Sequence, residues 1–137
     1  MATFRSFEDI TAWQAARELA RNLHAVTRCG TFARDRSLVD QMTRAVSIMS
    51  NIAEGFERGG RKEFIQYVSI AKGSSGELRS QLYVALDRRH ISEAAFTELR
   101  NGALQASRLI AGLINYLRNS EVKGVKYKQH ERDNLKP

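Results

Sequence analysis

Apolar residues recur at steps of three and four through nearly the whole of this chain, and no proline interrupts them, because the only one in 137 residues is the last, Pro137. A proline inside a helix removes a hydrogen bond and clashes with the preceding turn. Its absence leaves long helices permitted along the whole body of the chain. The sharpest case is the run from Leu38 to Tyr67, LVDQMTRAVSIMSNIAEGFERGGRKEFIQY. There Leu38, Met42, Ala45, Met49, Ile52 and Phe56 share one narrow helical face, and Gly59 and Gly60 mark a turn before the pattern resumes.

Four helices follow from the same reading. The first spans Asp9 to Arg28, with Ser6 or Asp9 as its cap and Trp13, Ala16, Ala20, Leu23 and Thr27 as its buried stripe. Cys29, Gly30 and the segment Thr31 to Asp35 read as a loop. The second runs from Leu38 to Phe56 or Glu57. The third starts near Arg61 and buries Phe64, Tyr67, Val68, Ala71, Ser75, Leu78, Leu82 and Leu86. The fourth, capped by Ser92, buries Phe96, Leu99, Ala103, Ala106, Ile110, Leu113, Ile114 and Leu117. No alternating strand pattern competes with these stripes.

Short connections force neighbouring helices antiparallel, so the expected fold is all-α, an up-down-up-down four-helix bundle over residues 1–119. The Gly59–Gly60 turn, the N-terminus and the C-terminus then share one end, and the loops around Arg34 and His90 share the other. From Glu121 the sequence EVKGVKYKQHERDNLKP has little apolar content, which predicts a mobile charged tail over residues 120–137. Gly73 and Gly76, inside the third helix, read as places where helices approach closely.

Twenty-two Lys and Arg against fifteen Asp and Glu leave a net charge of +7, a balance that favours acidic partners such as RNA or DNA. Cys29 is the sole cysteine, so no disulfide can form within the chain, and a cytoplasmic setting is expected. The opening residues MATFRSFEDI lack the apolar run of a signal peptide, and no segment is apolar over the roughly 20 residues a bilayer requires, so no membrane association is expected.

Two basic features stand out as candidate nucleic-acid contacts. Arg17, Arg21, His24 and Arg28 fall at steps of four, three and four along the first helix. Arg58, Arg61 and Lys62 surround the glycine turn, where free amides at a helix start favour anions. Without a GK[ST] ending, neither this turn nor Gly73 to Gly76 makes a phosphate-binding nucleotide loop, and no cofactor is expected. Arg44, Asn51 and Glu54 read as structural polar residues, because a lone carboxylate with no paired carboxylate, metal cluster or nucleophile defines no reaction. His24, His90, His130 and Cys29 do not stand at metal-ligand spacing, so no metal site is expected. Gly102, Leu109 and Tyr116 form a second heptad ridge on the fourth helix. With Ile65 and Tyr83 beside the core of the third, they are the expected contacts of a homo-oligomer.

The segment SNIAEGFERGGRKEF, with Phe7, Glu8 and Trp13 in FEDITAWQAAREL before it and GSSGEL and Tyr83 after it, resembles the four-helix-bundle proteins of the 23S rRNA intervening-sequence family over residues 4 to 118. That resemblance implies an antiparallel bundle related to proteins encoded within insertions of large-subunit rRNA genes and sometimes labelled ribosomal proteins. It extends in fold to the accessory protein of diversity-generating retroelements, a pentameric ring that binds nucleic acid and a reverse transcriptase, and so implies a basic oligomer, such as a pentamer, near nucleic acid. Met49 stands where the family pattern has proline, which should straighten the second helix, and Gly60 stands where a serine often caps the third. The resulting expectation is a non-enzymatic oligomeric bundle that binds RNA or DNA through phosphate contacts. The competing reading is a protein-interaction scaffold for a reverse transcriptase or another nucleic-acid-handling partner.

Overall fold

The computed structural model describes residues 4–120, so all but the first residue of the expected tail lies outside the described residues. A 3₁₀ turn, Phe7–Asp9, leads into α1, Thr11–Thr27. The short helices α2, Gly30–Arg34, and α3, Arg36–Met42, follow, and then the long rods α4, Ala45–Glu57, α5, Arg61–Asp87, and α6, Glu93–Arg118. In the bundle α1 packs against α4 and α6, and α5 against the same two, so the long helices stand at the corners of a square. One apolar core fills it, from Ile10 and Ala16 on α1 through Ile48 and Ile52 to Phe64, Leu82 and Ile110. The expected architecture is the observed one.

Local chemistry moves several boundaries. Ser6 and Asp9 cap the 3₁₀ turn rather than the first helix: the Asp9 carboxylate accepts the backbone N–H groups of Arg5 and Ser6 at 3.0 and 3.2 Å, and α1 begins two residues later. Trp13 packs edge-on against Phe7, ring centroids 5.1 Å apart, at the rim of the bundle. The inward row is therefore Ala12, Ala16, Leu19, Leu23 and Thr27, with Trp13 and Ala20 only half-buried. The expected loop from Cys29 to Asp35 holds α2, which drives Phe32 into the core with no exposure at all. One large apolar side chain in a five-residue helix, with only the exposed Ala33 beside it, gives no period to read, which is why this helix is invisible in the sequence.

The second helix is not continuous. At Thr43 and Arg44 the bonds tighten to three-residue steps, Arg44 N–H to Gln41, Val46 N–H to Thr43 and Ser47 N–H to Arg44. Thr43 and Ser47 turn their hydroxyls back onto the carbonyls of Asp40 and Arg44, a competition with helical bonding that Ser and Thr favour. The break separates α3 from α4 and shifts the inward row of α4 to Ile48, leaving Met49 half-buried. Beyond it, α4 runs unbroken through Met49. On α5, Ala85 is the buried residue in place of Leu86, and Tyr67 is half-buried, as is Phe96 at the start of α6.

The glycine that brings helices together is Gly55. A Cβ built on it would lie 2.8 Å from Tyr67 Cβ and 3.1 Å from Phe64 Cδ1, so α4 and α5 touch there through the absence of a side chain. Gly73 has nothing within 4 Å of such a position, and Gly76 meets only the end of Arg79, so neither mediates packing as expected. At the far end of α5 the chain closes with His90 N–H on Ala85 O and Arg89 N–H on Leu86 O, a Schellman arrangement that holds Arg89 at φ 59°.

Two outcomes follow for stability. Gly55→Ala forces α4 from α5 and should cost about 1–3 kcal/mol, the range for overpacked cores, measured by chemical denaturation; an unchanged midpoint would count against the close approach. Arg89→Gly removes the Cβ penalty of a left-handed residue and should raise stability by about 1 kcal/mol.

Candidate nucleic-acid interface

Gly59, at φ 78°, lets α4 end and α5 begin within two residues and brings Arg58, Arg61 and Lys62 to one corner. Most of their charge is used inside the fold. Arg58 Nη2 donates to Glu54 Oε1 at 3.0 Å, its guanidinium lies 5.4 Å from the centre of the Tyr67 ring, and the Tyr67 hydroxyl reaches the same Glu54 oxygen at 3.4 Å. The Glu54 hydrogen bond raises the pKa of Arg58 above its ordinary value. Arg61 donates to the Leu117 carbonyl at 3.2 Å and so ends α6. Glu63 folds its carboxylate over Gly60, to within 1.8 Å of where a Cβ would stand, which places an anion of the chain's own beside the start of α5 without a hydrogen bond that caps it. Glu54, Glu57 and Glu63 balance Arg58, Arg61 and Lys62. Of the three cations only Lys62 is exposed and without an ion-pair or hydrogen-bond partner among the described residues.

The stripe on α1 is similarly engaged. Arg17 sits 5.9 Å from the Trp13 ring centre and Arg21 Nη1 lies 3.5 Å from Glu18, while Arg28 and His24 are exposed near the C-terminal end. Asn51 donates to Ser47 O at 2.7 Å within α4, Glu54 belongs to the Arg58 corner, and Arg44 is exposed at the α3–α4 break, so the three polar residues work separately. Gly102 packs toward Leu19 of α1, Tyr116 meets Phe4 with ring centroids 6.1 Å apart, and Ile65 and Leu109 are half-buried against the core. Gly102 and Leu109 also line an open groove of about 470 Å³ between α1 and α6. Tyr83 is 49% exposed and packs edge-on against Phe96, 4.9 Å between centroids.

Sequence reasoning missed a polar cluster at the opposite end. Asp35 accepts from Arg88 Nη1 at 2.8 Å, from His90 Nε2 at 2.9 Å and from Leu38 N–H at 3.4 Å, capping α3. The His90 Nδ1 lies 3.0 Å from the Thr31 hydroxyl, and the ring stacks on Phe32 at 18°. Hydroxyl, imidazole and carboxylate stand in line, but His90 is only 10% exposed and both its nitrogens are used within the fold. The arrangement is a clamp that ties α2 and α3 to the end of α5. The His90 and Arg88 bonds, in that order, lower the Asp35 pKa from the ordinary 3.8 to about 2.

It also missed a basic face between α5 and α6. Three contacts fix the antiparallel register of these helices: Arg61 with Leu117, Ser75 with Ser107, and Tyr83 with Phe96. In that register Lys62 is level with Arg118, Lys72 with Arg108, and Arg79 with Arg100. None of the six has an ion-pair partner among the described residues. From Arg100 to Arg118, α6 contains no acidic residue. The acids of α5 within this stretch, Glu63 and Glu77, fall on the flank turned toward α4, as the helical period and the Tyr67–Glu54 contact require. Cations of the two helices thus meet at three levels over roughly 26 Å of α5, at about 1.5 Å per residue, with Lys72 and Arg79 on the flank beside α6 and Lys62 on the outer side of α5. The signal that could have revealed them is the acid-free run of α6.

With this geometry in hand, comparison with known proteins is informative. The family model described as 23S rRNA-intervening sequence protein matches residues 8–112. The chain belongs to that family. Among solved structures it is similar to a protein of unknown function from the S23 ribosomal protein family of Bacteroides thetaiotaomicron, with a TM-score of 0.70, 20% identity, and coverage of 77% of this chain and 96% of that one. At that identity the likeness shows the fold. No curated protein matches. Among the described residues no helix is long and apolar enough to cross a membrane, and no three His, Cys, Asp or Glu side chains are grouped to hold a metal.

The clamp makes a pH prediction. Because the folded pKa of Asp35 is depressed, its contribution to stability is complete above about pH 4 and is lost as pH falls from 3.8 toward 2. The difference in melting temperature between the parent and Asp35→Asn should stay constant at neutral pH and shrink in that acid window. A difference that does not change with acid would remove the clamp from the account.

Proposed function

We propose that this protein binds nucleic acid through its phosphates, without catalysis, on the face between α5 and α6. The observation that carries the reading is the set of level cations, Lys62 and Arg118, Lys72 and Arg108, Arg79 and Arg100, with no acid on α6 between Arg100 and Arg118. A net charge of +7 says only that cations exceed anions; here cations of two neighbouring helices share one edge of the bundle, where a polyanion can follow them. The family description, which ties these proteins to intervening sequences of 23S rRNA, supports RNA as the polymer. The corner at Gly59 and Gly60 contributes Lys62, while Arg58 and Arg61 are committed to Glu54 and to the end of α6.

Phosphate binding releases condensed counterions, so affinity should fall linearly on a log–log plot against salt. Anisotropy titrations at several salt concentrations should give such a slope. Lys72→Ala with Arg108→Ala should reduce it by about 1.4–1.8, as expected for two lost phosphate contacts. Arg58→Ala should leave the slope unchanged. Affinity that does not respond to salt, or a slope indifferent to Lys72 and Arg108, would sink the proposal.

A further inference from the structure

Within the basic face, Arg79 and Tyr83 stand apart from the other residues. Arg79 is half-buried, and its Nε is shut off from water with no hydrogen-bond partner among the described residues. Beside it is Gly76: a Cβ there would stand 3.9 Å from Arg79 Nη2, so the approach to the guanidinium is open on that side. Its neighbours along the face, Lys72, Arg100 and Arg108, are all positive, so an anion that reaches this face meets the outer, Nη edge of the guanidinium.

One helical turn further on, Tyr83 is 49% exposed although its edge rests against Phe96. Positions four apart on a helix lie about 5–6 Å from one another on one flank. A guanidinium and an aromatic ring carried on neighbouring turns of one flank match the two recognisable parts of one nucleotide, its phosphate and its base, joined by a single sugar. In a duplex the base faces are covered by their neighbours, and only an unpaired strand can lay a base on a side chain.

We infer that the α5–α6 face takes single-stranded nucleic acid, with Arg79 holding a phosphate through its outer Nη groups and Tyr83 stacking the adjoining base. The inference rests on the nucleic-acid reading above and adds the form of the strand. Phosphate contacts alone would accept single strand and duplex alike; the Tyr83 platform is what separates them. The remaining cations track the backbone on either side.

The test compares an oligouridine strand with an RNA duplex of the same length, using the full chain at low salt. The parent protein should prefer the single strand. Tyr83→Leu, which keeps apolar bulk against Phe96, should weaken single-strand binding roughly tenfold or more and leave duplex binding unchanged, while Tyr83→Phe should bind as the parent does. Arg79→Lys, which keeps the charge and removes the forked donors, should also lose single-strand affinity. Equal binding of strand and duplex, or equal losses on both from Tyr83→Leu, would overturn the inference while leaving the phosphate reading intact. Failure of the parent to bind either polymer would instead overturn the phosphate reading. Melting temperatures of the variants confirm that the fold persists, and Tyr83→Phe against Tyr83→Leu decides the matter if the latter is destabilised.

Discussion

The close approach of α4 and α5 at Gly55 is the constraint on which the rest of the bundle depends. With a Cβ at that point only 2.8 Å from the Tyr67 Cβ, no other residue fits without moving one helix from the other. The contact sets Tyr67 beside Glu54 and under Arg58, so the glycine turn closes with its charges already paired. It also fixes which flank of α5 faces α4. The opposite flank, with Lys72, Arg79 and Tyr83, is thereby left to α6 and to solvent. One missing methyl group thus decides where the positive charge of the chain is presented.

Charge in this molecule is best understood by where the acids are. The corner around Gly59 and Gly60 is dense in cations, yet Glu54, Glu57 and Glu63 answer them locally, in part through an exposed i,i+4 pair of a kind that adds little stability. On α6 the cations are sparser, one every eight to ten residues from Arg100 to Arg118, but nothing opposes them. At the start of α5, where the helix dipole favours an anion, the Glu63 carboxylate already lies beside Gly60. A short dense cluster and a long sparse row have similar weight in composition and opposite meaning for a polymer of phosphates.

The four rods were legible in the sequence because packing imposes a period of three and four, and no proline or strand pattern contradicted it. Where the sequence misled on the course of the chain, local structure interrupts or hides that period. Thr43 and Ser47 bond back to their own helix at the break between α3 and α4, and Phe32 is buried by a one-turn helix whose other residues are all exposed. The Asp35, Arg88 and His90 clamp joins residues more than fifty apart, and no spacing rule reports such a meeting. Arg58, Arg61, Arg17 and Arg21 were found as cations, but whether a cation is engaged depends on neighbours that sequence places only after the fold is known. The α5–α6 face was readable in part, since the acid-free run of α6 needs only an antiparallel partner to become a surface.

The pair of hydroxyls at Ser75 and Ser107 is small beside the apolar seam it interrupts, and it governs alignment. A heptad seam of alanine, leucine and isoleucine can slide by one repeat and still bury apolar surface, so hydrophobicity alone sets the register of α5 on α6 weakly. A slip of seven residues would set Ser75 against Arg100 or Ile114 and break the hydroxyl pair inside the bundle, where Ser75 has no exposure. Each cation on one helix keeps its counterpart on the other because of this pin, which makes two serines in the core the ruler by which the outer surface is graduated.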